Sequence, residues 1–169
     1  YKGVTARFLH YYEIRTLEEL QAVATGDLTG YYLLMNDIDA SATATWHDAG
    51  TTEGLLQGFR PIGTNYSTPP DTTSFRGIFD GNGKKITGLT INRPVDRYLG
   101  LFGFVGQEGE VRRLTLEGGS VLGRGLVGGV AGSNYGTVTD CSASVPVMGM
   151  GNAGGIVGHN GGSLTQCSA

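Results

Sequence analysis

Three acidic side chains are the residues of this sequence whose type and spacing best suit chemistry. Asp37 and Asp39 stand two positions apart in "NDIDA", so a strand would place both on one face. Asp80 begins "DGNG". Converging carboxylates can hold calcium, or supply the acid and the base that cleave an acidic polysaccharide. Asp37, Asp39 and Asp80 are therefore the calcium candidates, although carboxylates in such positions more often accept hydrogen bonds at turns or strand edges.

Basic and aromatic side chains offer a second kind of site, one for binding. Four cations are predicted to lie on the same side of two neighbouring turns of the chain: Lys84, Lys85, Arg112 and Arg113. Such a group is either a solvated face or a docking surface for an acidic glycan or a protein. Trp46 and Tyr66, in loops of the first half, are candidates to stack on sugars or proteins.

Several other chemistries are excluded by the motifs. "DGNG" starts like a calcium-binding helix–loop–helix segment, but the sixth-position glycine and twelfth-position glutamate do not follow, and "GNGKKITG" lacks the spacing of a phosphate-binding loop. The net charge of −3 is too small to indicate nucleic acid as a partner, and no apolar run approaches about 18 residues. We expect no catalytic residue, no cofactor and no membrane span.

The elements that must position these residues are set by a repeat. "GGVAGSNYGTVTDCSA" at Gly128–Ala143 returns, without a gap in the alignment, as "GGIVGHNGGSLTQCSA" at Gly154–Ala169. Working backwards, four hexapeptides align, and their first positions are spaced by 25, 27 and 26: Ile86–Ile91, Val111–Leu116, Val138–Ala143 and Leu164–Ala169. Their first position is always aliphatic, their fourth is apolar or a thiol, and their fifth carries a hydroxyl. A second valine column is formed by Val95, Val121 and Val147.

This pattern predicts an all-β fold, a parallel, right-handed β-helix with rungs of about 26 residues. The column Thr87, Thr139 and Thr165 is interrupted by Arg112, which argues against an ice-binding face. The column Gly88, Arg113, Asp140 and Gln166 brings no carboxylates together.

Two further pairs of residues repeat at equivalent positions. Cys141 and Cys167 are expected to be buried free thiols, with a disulfide between rungs as the alternative. Asn134 over Asn160 fits a turn position, where a side-chain amide can form hydrogen bonds along the stack.

The front of the chain is predicted to close the first rung. Thr16 and Glu19 form a capping box for a helix over about 16–25, with Leu17, Leu20 and Val23 on one face. We divide the chain into a cap with an irregular first coil (1–80) and the β-helix repeats (81–169). Because Ala169 falls in the middle of a rung, the repeats are expected to continue beyond it.

The quoted repeats resemble the GLUG motif, a Gly-Leu-Val-Gly run followed by Asn, Gly, a β-branched residue and a Cys-Tyr/Ser-Ala ending. "FRGIFDGNGKKITGLTINRPVDRYLGLFGFVG" is similar to the coil that precedes such repeats. The resemblance implies large secreted or surface-attached proteins, among them adhesins similar to filamentous haemagglutinin. It implies no catalytic residue.

The leading hypothesis is thus a non-catalytic structural and adhesive module of a secreted or cell-surface protein, binding a glycan or a protein through its loops. One alternative is a polysaccharide lyase or hydrolase. The other is an assembly unit of an extracellular fibre, joined by end-to-end self-association through unpaired strand edges.

Overall fold

The computed structural model describes residues 10–47, 56–65 and 71–169. One α-helix, α1 (Leu17–Ala22), is continued by a 3-10 turn at Val23–Thr25, and a second 3-10 turn spans Ser41–Thr45. The strands of the described residues are β1 (Tyr11–Ile14), β2 (Tyr31–Leu34), β3 (Ile38–Asp39), β4 (Ile78–Asp80), β5 (Lys85–Thr87), β6 (Thr90–Arg93), β7 (Tyr98–Leu99), β8 (Phe102–Val105), β9 (Glu110–Glu117), β10 (Ser120–Gly123), β11 (Leu126–Gly128), β12 (Ala131–Asn134), β13 (Thr137–Ser144), β14 (Val147–Gly149), β15 (Ala153–Gly154), β16 (Val157–Asn160) and β17 (Ser163–Thr165).

These strands stack as a parallel β-solenoid, which confirms the predicted fold class. The long sheet runs in the order β1-β2-β4-β9-β13-β17, with β3 and β5 completing it beside β9. Three shorter sheets, β6-β10-β14, β7-β11-β15 and β8-β12-β16, form the remaining walls. Every pairing between named strands is parallel, because each strand lies above its equivalent from the previous turn.

The side-chain columns of the later rungs follow the predicted register. Val111 pairs with Val138, which pairs with Leu164, and Leu114 pairs with Cys141. Val111 and Val138 are fully buried, whereas Leu164, which no described strand covers, is 37% exposed. Apolar residues stacked at strand spacing thus form one continuous core, and burying them is the main stabilising contribution to a solenoid.

The predicted alignment of the first hexapeptide is wrong. Phe79, not Ile86, lies under Val111, while Ile86 lies under Leu116. The cause is a longer corner. Asp80 and Lys85 are five positions apart, whereas the residues paired with them, Arg112 and Thr115, are three apart.

The same shift corrects three of the predicted columns. Ile91 occupies the place assigned to Val95, which is 72% exposed. Thr87 faces Glu117, so the threonine column contains only Thr139 and Thr165. In the column with Arg113, Asp140 and Gln166, the place assigned to Gly88 belongs to Asn82, because Asn82 has the same backbone conformation as the other three residues.

That corner repeats as a column of left-handed residues. Asn82, Arg113, Asp140 and Gln166 have φ between 51° and 53°. The left-handed region is unfavourable for most side chains and least so for Asn and Asp. Successive rungs therefore turn at the same point with the same backbone conformation, whichever side chain the sequence supplies there.

The rungs become smaller along the chain. Paired residues are 32 positions apart at Phe79–Val111, 27 at Val111–Val138 and 26 at Val138–Leu164. The core changes with them. Bulky rings fill the early coils, where Phe75 and Phe79 contact Phe102, and small side chains such as Ala143 fill the later ones.

A buried asparagine joins two rungs, as the sequence predicted. The side-chain amide of Asn134 donates to Asn160 Oδ1 at 2.8 Å and to the carbonyl of Ser163 at 3.0 Å, and its Oδ1 accepts from Gly136 N–H at 3.0 Å. A Cβ on Gly136 would collide with the carbonyl oxygens of Gly106 and Gly109. The asparagine ladder and the glycine beside it therefore fix how closely the backbones stack.

The capping helix is confirmed. Glu19 N–H donates to Thr16 Oγ1 at 3.1 Å, and Thr16 N–H donates to Glu19 Oε2 at 3.2 Å. Leu17, Leu20 and Val23 are buried in the common core. The helix thereby covers apolar surface of the first coils, as its amphipathic pattern requires.

Candidate functional site

Asp80 lies at the centre of the predicted basic group. Its side chain is 1% exposed. Arg113 donates to both carboxylate oxygens, at 2.9 and 2.6 Å, and Arg112 Nε donates to Oδ2 at 3.0 Å. The backbone N–H of Asn82 adds a fourth bond at 2.8 Å. Since a carboxylate has about four acceptor positions, a calcium ion could bind Asp80 only by displacing an arginine.

The charges of this group compensate one another. Burial alone would raise the pKa of Asp80, but the hydrogen bonds from Arg113, Asn82 and Arg112 lower this pKa below its usual value. Arg112 also donates to Glu110 at 2.9 Å and to the hydroxyl of Tyr31 at 3.0 Å. Asp80 and its arginines therefore form a cross-link between β4 and β9 that stays ionised at neutral pH.

The two lysines of the predicted basic surface are less constrained. Lys85 pairs with Glu117 at 3.3 Å, and both side chains are nearly half exposed. Within the described residues, no carboxylate lies within ion-pair distance of Lys84. The structure brings all four cations near β4, β5 and β9, but most of their charge is already paired. The binding role of this surface stays a prediction.

Asp37 and Asp39 are both exposed and act as strand-edge acceptors. Asp37 Oδ1 accepts from Lys85 N–H at 2.9 Å, and Asp39 Oδ1 accepts from Ser41 N–H at 2.9 Å. Hydrogen bonds from Ser41 lower the pKa of Asp39. In the part of the chain that the structure describes, no three His, Cys, Asp or Glu side chains are grouped as a metal site would need.

Of the two aromatic residues predicted to bind a ligand, the structure describes only Trp46. Trp46 is partly buried, packs against the core, and lines a cleft of about 380 Å³ together with His47 and Arg60. Tyr66 lies outside the described residues. A binding role for either residue stays a prediction.

An aromatic ladder on the side wall was missed by the sequence analysis. The rings of Phe104 and Tyr135 are stacked, with centroids 5.4 Å apart and planes 9° apart. Tyr98 stands at 69° to Phe104 at 5.7 Å, and His159 lies 5.7 Å from Tyr135 on the other side. Tyr135 is 41% exposed. We call these four residues, Tyr98, Phe104, Tyr135 and His159, the aromatic ladder.

Two adjoining clefts open beside the aromatic ladder. The first, of about 490 Å³, is lined by Asn65, Tyr98, Phe104, Gly106, Gln107 and Tyr135. The second, of about 610 Å³, is lined by residues that include Arg60, Asp96 and Arg97. Asn65 and Tyr98 belong to both linings, so the two clefts are continuous. Together they have the size and the mixed apolar and polar lining of a ligand site.

The two cysteines are free thiols, as expected, but only Cys141 is buried, because Cys167 lies in the last described rung and is partly exposed. Burial raises the pKa of Cys141 to about 12, so this thiol stays protonated at neutral pH. Each thiol contacts the carbonyl of the rung below, Cys141 that of Val111 at 3.8 Å and Cys167 that of Val138 at 3.7 Å. A buried protonated thiol is unreactive, and Cys141 acts here as a core residue.

One known family model matches part of the repeat region. The family model described as "The GLUG motif" matches residues 123–147, which run from the end of β10 to the start of β14. This match confirms the motif that the repeats resemble. No solved structure gives a significant match.

Two curated relatives have names that point to surfaces. A protein of Evansella cellulosilytica, named as a Gly-rich membrane protein, is 37% identical over 138 residues, which cover 79% of this chain and 14% of that protein. Halomucin of Haloquadratum walsbyi is 35% identical over 137 residues, which cover 79% of this chain and 1% of halomucin. The chain thus spans a small part of either relative. Within the described residues, no helix has the length and apolar character needed to cross a membrane.

Proposed function

We propose that this chain, a parallel β-solenoid that carries the GLUG motif, is a structural module of a surface protein. In this proposal the module binds a glycan or a protein through its side walls and loops. The observation that carries the proposal is the register. Side chains such as Val111, Val138 and Leu164 stand above one another in successive rungs. A solenoid built in this way is stiff along its axis, because each rung is bonded to its neighbour along several strands.

The relatives support a place at a surface. Both names refer to a membrane or a mucin, and both proteins are many times longer than this chain. A stiff segment inside a long surface protein holds its loops away from the anchoring point, and binding sites are commonly carried by loops on a rigid scaffold. These names support our proposal that the module lies outside the cell.

The three candidate carboxylates, Asp37, Asp39 and Asp80, give the lyase or hydrolase alternative no additional support. Asp80 is held by two arginines, and Asp37 and Asp39 each accept a backbone hydrogen bond. Hydrolysis of a glycosidic bond generally needs a carboxylic acid and a carboxylate that face the same substrate bond. The observed bonds give these three residues a structural role in the fold.

The proposal is tested by attachment. Beads coated with the folded protein are exposed to arrays of glycans and extracellular proteins, with heat-unfolded protein as the matched control. We expect binding of the folded protein to one class of target above that control. Equal binding by both forms would contradict the proposal. So would the release of reducing ends from pectin or alginate with or without calcium, because the protein would then be an enzyme.

A further inference from the structure

We propose that the two continuous clefts beside the aromatic ladder form a binding site for an acidic saccharide. The sugar rings would lie against Tyr98 and the edge of Tyr135, and the sugar carboxylate would bind Arg60 and Arg97. This inference rests on the proposed function, since it names the ligand class and the residues through which the module would bind.

The aromatic half of the site is closely packed. Phe104 is buried at 6% exposure, and its ring is stacked against Tyr135 and set at 69° to Tyr98. Tyr98 lines both clefts, so one side chain can contact a ligand that occupies either. Tyrosine combines a large apolar ring with a polar hydroxyl, which suits the mixed surface of a sugar. The rung backbones hold these rings in place, so little ordering would be needed on binding.

The cationic half is available to a ligand. Arg60 and Arg97 are exposed and line the second cleft, and within the described residues no carboxylate lies within ion-pair distance of either guanidinium. Asp96 also lines this cleft, but it is paired with Arg93 at 3.7 Å. The two arginines therefore dominate the charge that a ligand meets. Arginine is well suited to bind a carboxylate through two parallel hydrogen bonds.

The side-chain amides in the clefts favour a saccharide over an acidic peptide. Asn65 is shared by both clefts, and Gln107 lines the first. Side-chain amides offer both donors and acceptors, which match sugar hydroxyls. A continuous cleft of two parts fits at least two linked sugar rings, one of them carrying the acid.

Arg112 and Arg113 show why the cleft, rather than the predicted basic surface, is the better candidate. Their guanidinium groups are bonded to Asp80 and Glu110, so a ligand would have to replace existing bonds. Arg60 and Arg97 have no such competitor in the described chain. A surface arginine without an ion pair costs less to recruit than one that holds the fold together.

The test measures affinity for charged saccharides and for their neutral counterparts. The panel contains oligogalacturonate with its methyl ester, and sialyllactose with lactose. We expect the wild-type protein to bind at least one acidic member more tightly than its neutral counterpart, with affinity falling as salt is added. Arg97→Gln should weaken this binding roughly tenfold or more, since one charge-assisted hydrogen-bond pair is lost. Tyr98→Ala should weaken it as well, provided that circular dichroism shows an unchanged fold.

Lys84→Gln is the matched control, because it removes one cation from the predicted basic surface and leaves the clefts intact. The inference is overturned if no member of the panel binds, if neutral members bind equally well, or if Lys84→Gln weakens binding as much as Arg97→Gln. Tighter binding of a polyglutamate peptide would also overturn it. If the beads attach to their target and Arg97→Gln does not affect the attachment, the clefts are not the binding site, and the proposed function still stands. If the wild-type beads do not attach to any target, the proposed function itself fails.

Discussion

At the scale of single residues, the most consequential side chain is a carboxylate removed from water. Asp80 is 1% exposed, and it links β4 to two arginines on β9. Such a bond contributes to stability only while the carboxylate is charged, because a neutral acid would leave guanidinium groups poorly paired.

Asp80→Asn should lower the free energy of unfolding at pH 7 by about 1.5–3 kcal/mol, the usual contribution of hydrogen bonds to charged groups. The pKa of Asp80 is lower in the folded protein than in the unfolded chain. Its contribution is therefore complete above about pH 4 and is lost as the pH falls through the folded pKa. Urea unfolding at pH 7 and pH 3 should show a difference between wild type and variant that shrinks at the lower pH.

The exposed Glu108→Gln variant is the control for Asp80→Asn, and it should unfold like the wild type at both pH values. A difference between wild type and Asp80→Asn that is constant from pH 7 to pH 3 would show that the carboxylate charge contributes nothing.

At the left-handed corner we expect a substitution to raise, rather than lower, the free energy of unfolding. Asp140 is exposed and has φ of 51°. Glycine removes the steric cost of this conformation, but it also adds chain entropy to the unfolded state, so Asp140→Gly should raise the free energy of unfolding by only about 0.5 kcal/mol. Thr137→Gly lies in the same strand but outside the corner, and it should lower the free energy of unfolding by about 1 kcal/mol because it adds chain entropy with no steric relief. Thermal unfolding of both variants checks the prediction, and a loss of stability in both would contradict it.

At the scale of elements, neighbouring rungs are held together by polar side chains as well as by backbone bonds. The amide of Asn134 links β12 to β16 and to the residue that begins β17. It is fully buried, so both its donors and its acceptor need partners inside the protein.

Asn134→Asp should lower the free energy of unfolding by about 1–3 kcal/mol for each polar group left without a partner. The new carboxylate could not donate to Asn160 Oδ1 or to the Ser163 carbonyl. The matched variant Asn160→Asp changes an exposed amide of the last rung and should cost clearly less. Denaturant unfolding of the pair measures this, and equal effects would show that burial does not decide the cost.

The later rungs could be predicted from sequence because their period is nearly constant, so equal positions carry similar side chains. The first rung could not. Two additional residues at the Gly81–Lys84 corner shift the register, and "ITGLTI" resembles the hexapeptide above without lying under it. The helix was predictable because its capping box is a local signal.

The lateral clefts were beyond sequence reasoning for a related reason. Tyr98, Phe104 and Tyr135 are not separated by the period of the repeat, so no alignment of the rungs places them together. Tyr98 meets Phe104 across neighbouring walls, and Tyr135 stacks on Phe104 just beyond the end of β12, which only the folded chain shows. The pairing of Arg112 and Arg113 with Asp80 was equally hidden, because it depends on the shifted register.

At the scale of the whole molecule, the first and the last described rungs differ in what covers them. The first coils are covered by α1, whereas no described strand pairs with the outer edges of β14, β15, β16 and β17. Unpaired strand edges invite pairing with another chain. End-to-end self-association of the described segment stays a prediction.

Sedimentation over a range of protein concentrations should show reversible growth beyond the monomer. Leu164→Lys places a charge at the top of the core column and should suppress this growth. Val95→Lys, in the exposed turn between β6 and β7, introduces the same charge and should leave this growth unchanged. A monomer at every concentration, or equal effects of the two lysines, would contradict association through this end.

The constant register of the last rungs has a consequence for how such proteins change in size. From Val121 onward, each paired residue lies 26 positions before its partner in the next rung. A duplicated copy of 121–146 would therefore fit between its neighbours and add one layer, about 4.8 Å of height. Recombination between genes could lengthen or shorten such a rod by whole layers, and the interior would need no redesign at any step.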